Sequence, residues 1–226
     1  MIGIIGAMDI EIDGLRAGLA QAVQYTIGGI SFYTGLLGSH EVVLAKSGVG
    51  KVFAAMCAQT MILHFHPEYI INTGVAGALA EDLHIANLVI GTAAVQHDMD
   101  TSALGDPAGM ISGINIVRIP ADPTLSDRLA DTAKALQIQT HRGIIASGDR
   151  FVASAQDKQR LCQAFQAIAC EMEGGAVAQV CFVNGVPFAL LRAVSDGAGD
   201  DSAMDYNTFA RLAADQSVHL LSEFLK

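Results

Sequence analysis

Five short apolar runs from well-separated parts of the chain each end in glycine and polar residues. They are GIIGAMDIE from Gly3, IINTGVAG from Ile70, IIASGDRF from Ile144, IACEMEGG from Ile168 and LLRAVSDGAG from Leu190. Runs that are apolar on both faces, with helical patterns between them, call for a central sheet covered by helices. The expected fold is therefore α/β, a single domain over residues 1–226 with a central mixed, largely parallel sheet. With 51% hydrophobic and 16% charged residues in 226, the chain has enough apolar material for one sizeable core. In open α/β sheets, ligands bind beyond the carboxyl ends of the strands. The five polar endings would then face one crevice, where glycines let backbone approach a ligand closely.

The remaining segments fit this frame. Asp9–Leu19 and Val52–Phe65 have helical spacing, the second stopping near Pro67. TIGGISFYTG reads as a hairpin turning at Gly28–Gly29, followed by the strand EVVLAKSG. YIINTGVAG reads as a buried strand that runs into a glycine turn, and LVIGTAAV as another strand. His97–Pro120 reads as a long loop. Helices are expected over Leu125–Leu136, Ala155–Phe165 and Gly174–Val183, the last ended by Asn184–Gly185. Strands are expected at Gly143–Ala146, Ile168–Cys170 and PFALLRAVSD. Tyr206–Leu225 is a closing helix, with Phe209, Leu212, Ala213, Leu220, Leu221 and Phe224 on its inner side.

The acids at the strand ends are Glu11, Asp149, Glu171, Glu173 and Asp196. Each has a structural alternative. Glu11, Glu171 and Glu173 suit the first turn of a helix. Asp149 suits a cap of the following turn, and Asp196 a pairing with Arg192 or a turn cap. Their shared placement is what points to a site. A net charge of −10 argues against a nucleic-acid partner. The start of the chain lacks the basic lead of a signal peptide, and no run suits a membrane span. Cys57, Cys162, Cys170 and Cys181 form no C-x-x-C pair and read as reduced, buried thiols of a cytoplasmic protein.

Several motifs fail. KSGVGKV lacks the first glycine and the Ser/Thr of a phosphate loop, having Ala45 and Val52 there. HDMD offers His97, Asp98 and Asp100 without further ligands, so loop hydrogen bonding is expected rather than a metal. Ser147 and Ser195 lack a nucleophile elbow.

IGIIGAMDIEID, KSGVGKV, INTGVAGAL, SGDRFV, EMEGGAVAQVC and RAVSDGAGD, in that order along the chain, resemble the bacterial 5′-methylthioadenosine/S-adenosylhomocysteine nucleosidases of the nucleoside phosphorylase superfamily. EMEG with a downstream SD is shared across that superfamily; GIIGAM-x-x-E narrows it to the nucleosidases. The resemblance implies hydrolysis of an N-ribosidic bond, without metal or organic cofactor. It makes Glu11 the base that activates water and Asp196 the acid that protonates adenine N7, oriented by Ser195. It implies that Glu173 holds the ribose hydroxyls, Met172 packs on the sugar and Met8 joins the substrate site. Phe151 would stack on adenine, the Val152 backbone would read its edge, and Gly77 would lie in a turn beside base and sugar. Tyr206 would flank the 5′ substituent. Glu171 is placed at the substrate site, as a support or as a binding group. The resemblance also implies a homodimer in which a partner loop, Ala103–Pro107 around Leu104, closes the 5′ pocket. Val75, Leu104 and Arg150 depart from the family pattern and bear on the 5′ substituent. The rival readings are a purine nucleoside phosphorylase, a 6-amino-6-deoxyfutalosine nucleosidase and a non-catalytic nucleoside-binding protein.

Overall fold

The computed structural model describes residues 1–197 and 206–226, apart from the side chains of residues 206–208. The chain begins with β1 (Ile2–Gly6), α1 (Asp9–Ala17), β2 (Ala20–Ile27), β3 (Ile30–Leu37) and β4 (His40–Lys46). It continues with α2 (Lys51–Phe65), β5 (Tyr69–Ala78), β6 (Leu88–Gln96) and β7 (Ile119–Pro120). Then come α3 (Pro123–Ala135), β8 (Thr140–Ser147), α4 (Ala155–Phe165), β9 (Ala167–Glu171), α5 (Gly174–Asn184), β10 (Phe188–Asp196) and α6 (Tyr206–Phe224).

Among the described residues, all ten strands join one mixed sheet. One wing runs β2–β3–β4–β1–β5. Beyond it, β5, β10, β6, β8 and β9 pair in turn and close a ring, because the end of β5 also pairs with β9. Pairings β1–β4, β1–β5, β5–β10, β6–β8 and β8–β9 are parallel. Those of β6–β10, β5–β9, β2–β3, β3–β4 and β6–β7 are antiparallel. The pairings divide evenly in number, but the parallel ones run longer, in keeping with the expected mixed, largely parallel sheet. Two of the antiparallel seams are those that close the ring, and the wing ends in a hairpin.

The closure brings distant strand ends together. Asp196 lies opposite Gly77, Gly77 opposite Cys170, and Ser147 opposite Glu171. β5 does not stop at a glycine turn, as the sequence suggests, but stays extended through Gly77 to Ala78. Glycine is needed there for space rather than for a bend. Gly28 and Gly29 do turn the β2–β3 hairpin, with φ of 59° and 81°, the left-handed values of a tight hairpin.

Helices cover both faces of the sheet. α2 and α5 pack over a core that includes Ile5, Phe32, Val43, Met61, Ile70, Val177 and Leu190. α3 and α6 cover the other face, where Ile4, Leu44, Ile71, Leu129, Leu220 and Phe224 meet. On α6 the buried stripe is Ala210, Ala213, Ala214, Ser217, Leu220, Leu221 and Phe224. Leu212, expected on this inner side, falls off the stripe and is 48% exposed. The 97–120 segment is mostly irregular, with a 3₁₀ turn at Ser102–Leu104 and a short pairing of β7 with β6. No helix is long and apolar enough to cross a membrane among the described residues.

Candidate active site

The loop after β1 turns straight into α1, so Glu11 arrives in the first turn of the helix directly above Gly6. Its side chain points inward rather than to solvent, and the residue is only 3% exposed. Oε2 accepts the N–H groups of Ala7 at 2.7 Å and Met8 at 2.9 Å; Oε1 accepts that of Val75 at 2.9 Å. Gly74 makes the space, since a Cβ there would stand 2.7 Å from Oε1. Burial pushes the Glu11 carboxyl above its usual value, and the three N–H bonds and the Arg192 charge offset part of that rise.

Asp196 ends β10 and packs over the bare Cα of Gly77, where a Cβ would lie 3.0 Å and 3.1 Å from its two oxygens. Oδ1 accepts the Ser195 hydroxyl at 3.2 Å. Oδ2 accepts Lys158 Nζ at 2.8 Å in a fully buried ion pair. The alternative pairing of Asp196 with Arg192 does not occur. Arg192 instead bonds Glu171 Oε2 at 2.5 Å, the carbonyl of Asn72 at 2.8 Å and the Asn72 side chain.

The two acids of CEMEGG divide their work. Glu171 accepts the Arg192 guanidinium, the Ser147 hydroxyl and the N–H groups of Glu173 at 3.0 Å and Gly174 at 2.7 Å. Burial acts to raise the Glu171 carboxyl, but Arg192, Ser147 and the helix N–H groups together hold it below its usual value. Glu171 thus anchors the start of α5, and a Cβ on Gly174 would crowd both it and Arg192 at 3.1 Å. Glu173 is the N-cap residue of α5, and its Oε1 accepts the Gly50 N–H at 2.7 Å. Burial, and then the charge of Glu171, push the Glu173 carboxyl up to about 7.

Glu11, Glu171, Glu173 and Asp196 all border one cleft of about 550 Å³, its open mouth included. Met8, Gly77, Phe151, Val152, Met172 and Ser195 border it as well, with Phe151 at the mouth and 51% exposed. Tyr206 begins α6, but its side chain lies outside the described residues. Asp149 does not join the cleft. It accepts the Lys51 N–H at 2.7 Å, at the start of α2 rather than in the turn that follows it, and faces a separate hollow between α2 and α5. Asp98 bonds Lys51 Nζ at 2.6 Å and the Asp149 N–H at 2.8 Å. No group of three or more His, Cys, Asp or Glu among the described residues is arranged to hold a metal ion. Cys57, Cys170 and Cys181 are buried free thiols, each pushed up to about 12 chiefly by burial; Cys162 is half-buried.

A sequence profile described as the phosphorylase superfamily matches residues 1–226. The 5′-methylthioadenosine/S-adenosylhomocysteine nucleosidase of Staphylococcus aureus strain JH9 is 39% identical over 215 residues, covering 95% of this chain and 94% of that protein. The chain belongs to this nucleosidase family of the phosphorylase superfamily. The crystal structure of the Neisseria meningitidis nucleosidase in complex with methylthio-immucillin-A superposes with a TM-score of 0.96 at 35% identity, covering 100% of this chain and 98% of that one. The native futalosine hydrolase of Helicobacter pylori strain 26695 superposes with a TM-score of 0.94 at 36% identity, covering 99% and 96%.

Three groups escape a reading of the family's motifs: Lys158, the Arg192–Asn72 brace and the Gly50 N–H. Two of them carry a signal. Lys158 occupies an inward position of α4, in step with buried Leu161 and Phe165. Arg192 interrupts FALLRAV, a strand that is otherwise wholly apolar up to Ser195. A cation in an apolar stripe requires a buried anion. The Gly50 contact depends on backbone direction alone.

Glu173 also ties stability to pH. Its carboxyl is raised from 4.5 to about 7 in the fold, so the folded chain holds that proton more tightly than the unfolded chain. The stabilisation is fully present below about pH 4.5 and is lost as pH rises through about 7. Glu173→Gln stays neutral and keeps an acceptor for Gly50. Its melting temperature relative to the parent is expected to rise steadily between those pH values, as read by calorimetry across the range. A pH-independent difference contradicts the assignment.

Proposed function

We propose that the chain hydrolyses the N-ribosidic bond of 5′-methylthioadenosine and S-adenosylhomocysteine, releasing adenine with water as nucleophile. The observation that carries this reading is that Glu11 and Asp196, far apart in sequence, border the same cleft. Adenine leaves readily only when N7 is protonated. Asp196 supplies that proton, and the C1′–N9 electron pair passes to the base. Positive charge develops on the ribose as in glycoside hydrolysis, and the surrounding carboxylates stabilise it. Glu11 takes a proton from the water that forms the new bond to C1′. Its raised carboxyl suits a base working near neutral pH. Glu173 accepts from the ribose hydroxyls, Met8 and Met172 pack beside the sugar, and Phe151 and Val152 meet the purine. Glu171 serves this site as a support, because its oxygens are already engaged by Arg192, Ser147 and α5.

Water is favoured over phosphate by the lining of the cleft. Arg150 is the one cationic side chain that borders it among the described residues, and it pairs with Asp157 at 2.6 Å. A phosphate site would set cationic donors against the anion. The likeness to a futalosine hydrolase gives a second substrate class, a purine riboside with a different 5′ extension, to set beside the thioethers.

The protein is proposed to act in the cytoplasm, in methionine salvage, as a homodimer. Val52 and Met56 on α2 and Val183 on α5 are 69%, 46% and 63% exposed, and α2 packs beside α5. Val49, close by in sequence and 51% exposed, borders the cleft itself. An apolar face reaching the cleft suits a second copy that helps to close the 5′ pocket with its Leu104 loop. Leu104 is 84% exposed.

Glu11→Gln and Asp196→Asn are each expected to lower adenine release from methylthioadenosine by roughly a hundredfold or more while the chain stays folded. Near-full turnover in either purified variant contradicts the roles given. Adenine release from methylthioadenosine, S-adenosylhomocysteine and 6-amino-6-deoxyfutalosine is expected to be independent of added phosphate. A rate proportional to phosphate, with ribose 1-phosphate product, would assign a phosphorylase. Val52→Glu with Val183→Glu is expected to convert dimer to monomer in sedimentation; a monomeric parent rules the dimer out.

A further inference from the structure

Among the described residues, the Lys158 side chain makes two hydrogen bonds, both with the segment that carries the proposed acid. Nζ donates to Asp196 Oδ2 at 2.8 Å and to the carbonyl of Gly197. The lysine is 1% exposed, so these contacts offset the burial of its charge. An ammonium has three donors and no acceptor. The hydroxyl oxygen of a protonated carboxyl is a poorer acceptor than the carbonyl oxygen, so the ammonium favours the unprotonated oxygen and leaves the proton to the other. Ser195 differs. Its hydroxyl donates to Oδ1 at 3.2 Å but can also turn to accept.

These donor and acceptor preferences favour one arrangement for an acid that must deliver a proton. We propose that Lys158 is a positioning residue that determines which oxygen of Asp196 serves the purine: Oδ2 stays bound to the ammonium, and Oδ1 carries the proton to N7. The contact with Gly197 fixes the backbone just beyond β10, and the bare Cα of Gly77 leaves the carboxyl space to hold that orientation. The inference rests on the reading of Asp196 as the acid that protonates adenine.

Lys158→Met keeps the bulk and removes the ammonium. Its kcat for adenine release is expected to fall roughly tenfold to a hundredfold, as for a misaligned catalytic group, with KM changed by less than about threefold. In an Asp196→Asn background the same substitution is expected to cause less than about a twofold further loss, because the two residues act as a unit. A Lys158→Met kcat within about twofold of the parent, or losses that multiply in the double variant, overturns the proposal. Should Lys158→Met not fold, the parent chain crystallised with a non-hydrolysable adenine nucleoside decides the question. Oδ1 at N7 with Nζ still on Oδ2 supports the proposal; Oδ2 at N7 overturns it. Full activity in Asp196→Asn alone instead sinks the general-acid reading on which the inference stands.

Discussion

The guanidinium of Arg192 is buried among the strands of the closed ring, and the residue is 1% exposed. It is held there by the Glu171 carboxylate and by the carbonyl and side chain of Asn72. The bond to Glu171 joins β10 to β9, and those to Asn72 join β10 to β5. Removing one partner of such a buried pair typically costs about 3–5 kcal/mol. The same Glu171 also receives the first N–H groups of α5. One ion pair therefore fixes three strands and a helix start, and Glu173 stands at that helix start. Arg192 also contributes to the charge balance at Glu11. The brace binds no ligand in the mechanism above, yet the binding and reacting groups take their places from it.

Three of the four acids at the cleft are accommodated by a residue without a side chain. Gly74 clears room for Glu11, Gly77 for Asp196 and Gly174 for Glu171. Two of these glycines lie in β5, which pairs with β1, β9 and β10. Local backbone strain is not involved, as none of the three has a positive φ. The glycine-rich character of the strand ends is thus a matter of close approach between carboxylates and backbone.

Much of this was legible in the residues. The apolar runs and their polar endings identify the strands and predict that the endings share a crevice. Helix α4, from Ala155 to Phe165, and the stop of α5 at Gly185 fall where local signals place them. What was not legible depends on closure of the ring. Periodicity is a local property, so it does not reveal that the extended end of β5 pairs with β9 or that half the pairings run antiparallel. Nor does it pair Lys158 with Asp196, residues separated by 38 positions. Leu212 shows the opposite limit: its apolar character and spacing predict an inward position, and it lies just outside the stripe.

The dependence of Glu11 on backbone donors from two separate segments has a consequence for how the molecule comes into being. Ala7 and Met8 follow β1, whereas Val75 lies deep in β5. Neither segment alone can house the carboxylate, and Asp196 reaches its place only when the last strand is laid down. A nascent chain released short of β10 has half a reaction centre and a naked sheet edge. A complete set of the proposed reacting groups thus requires β1, β5 and β10 together, so no fragment that lacks one of these strands holds it.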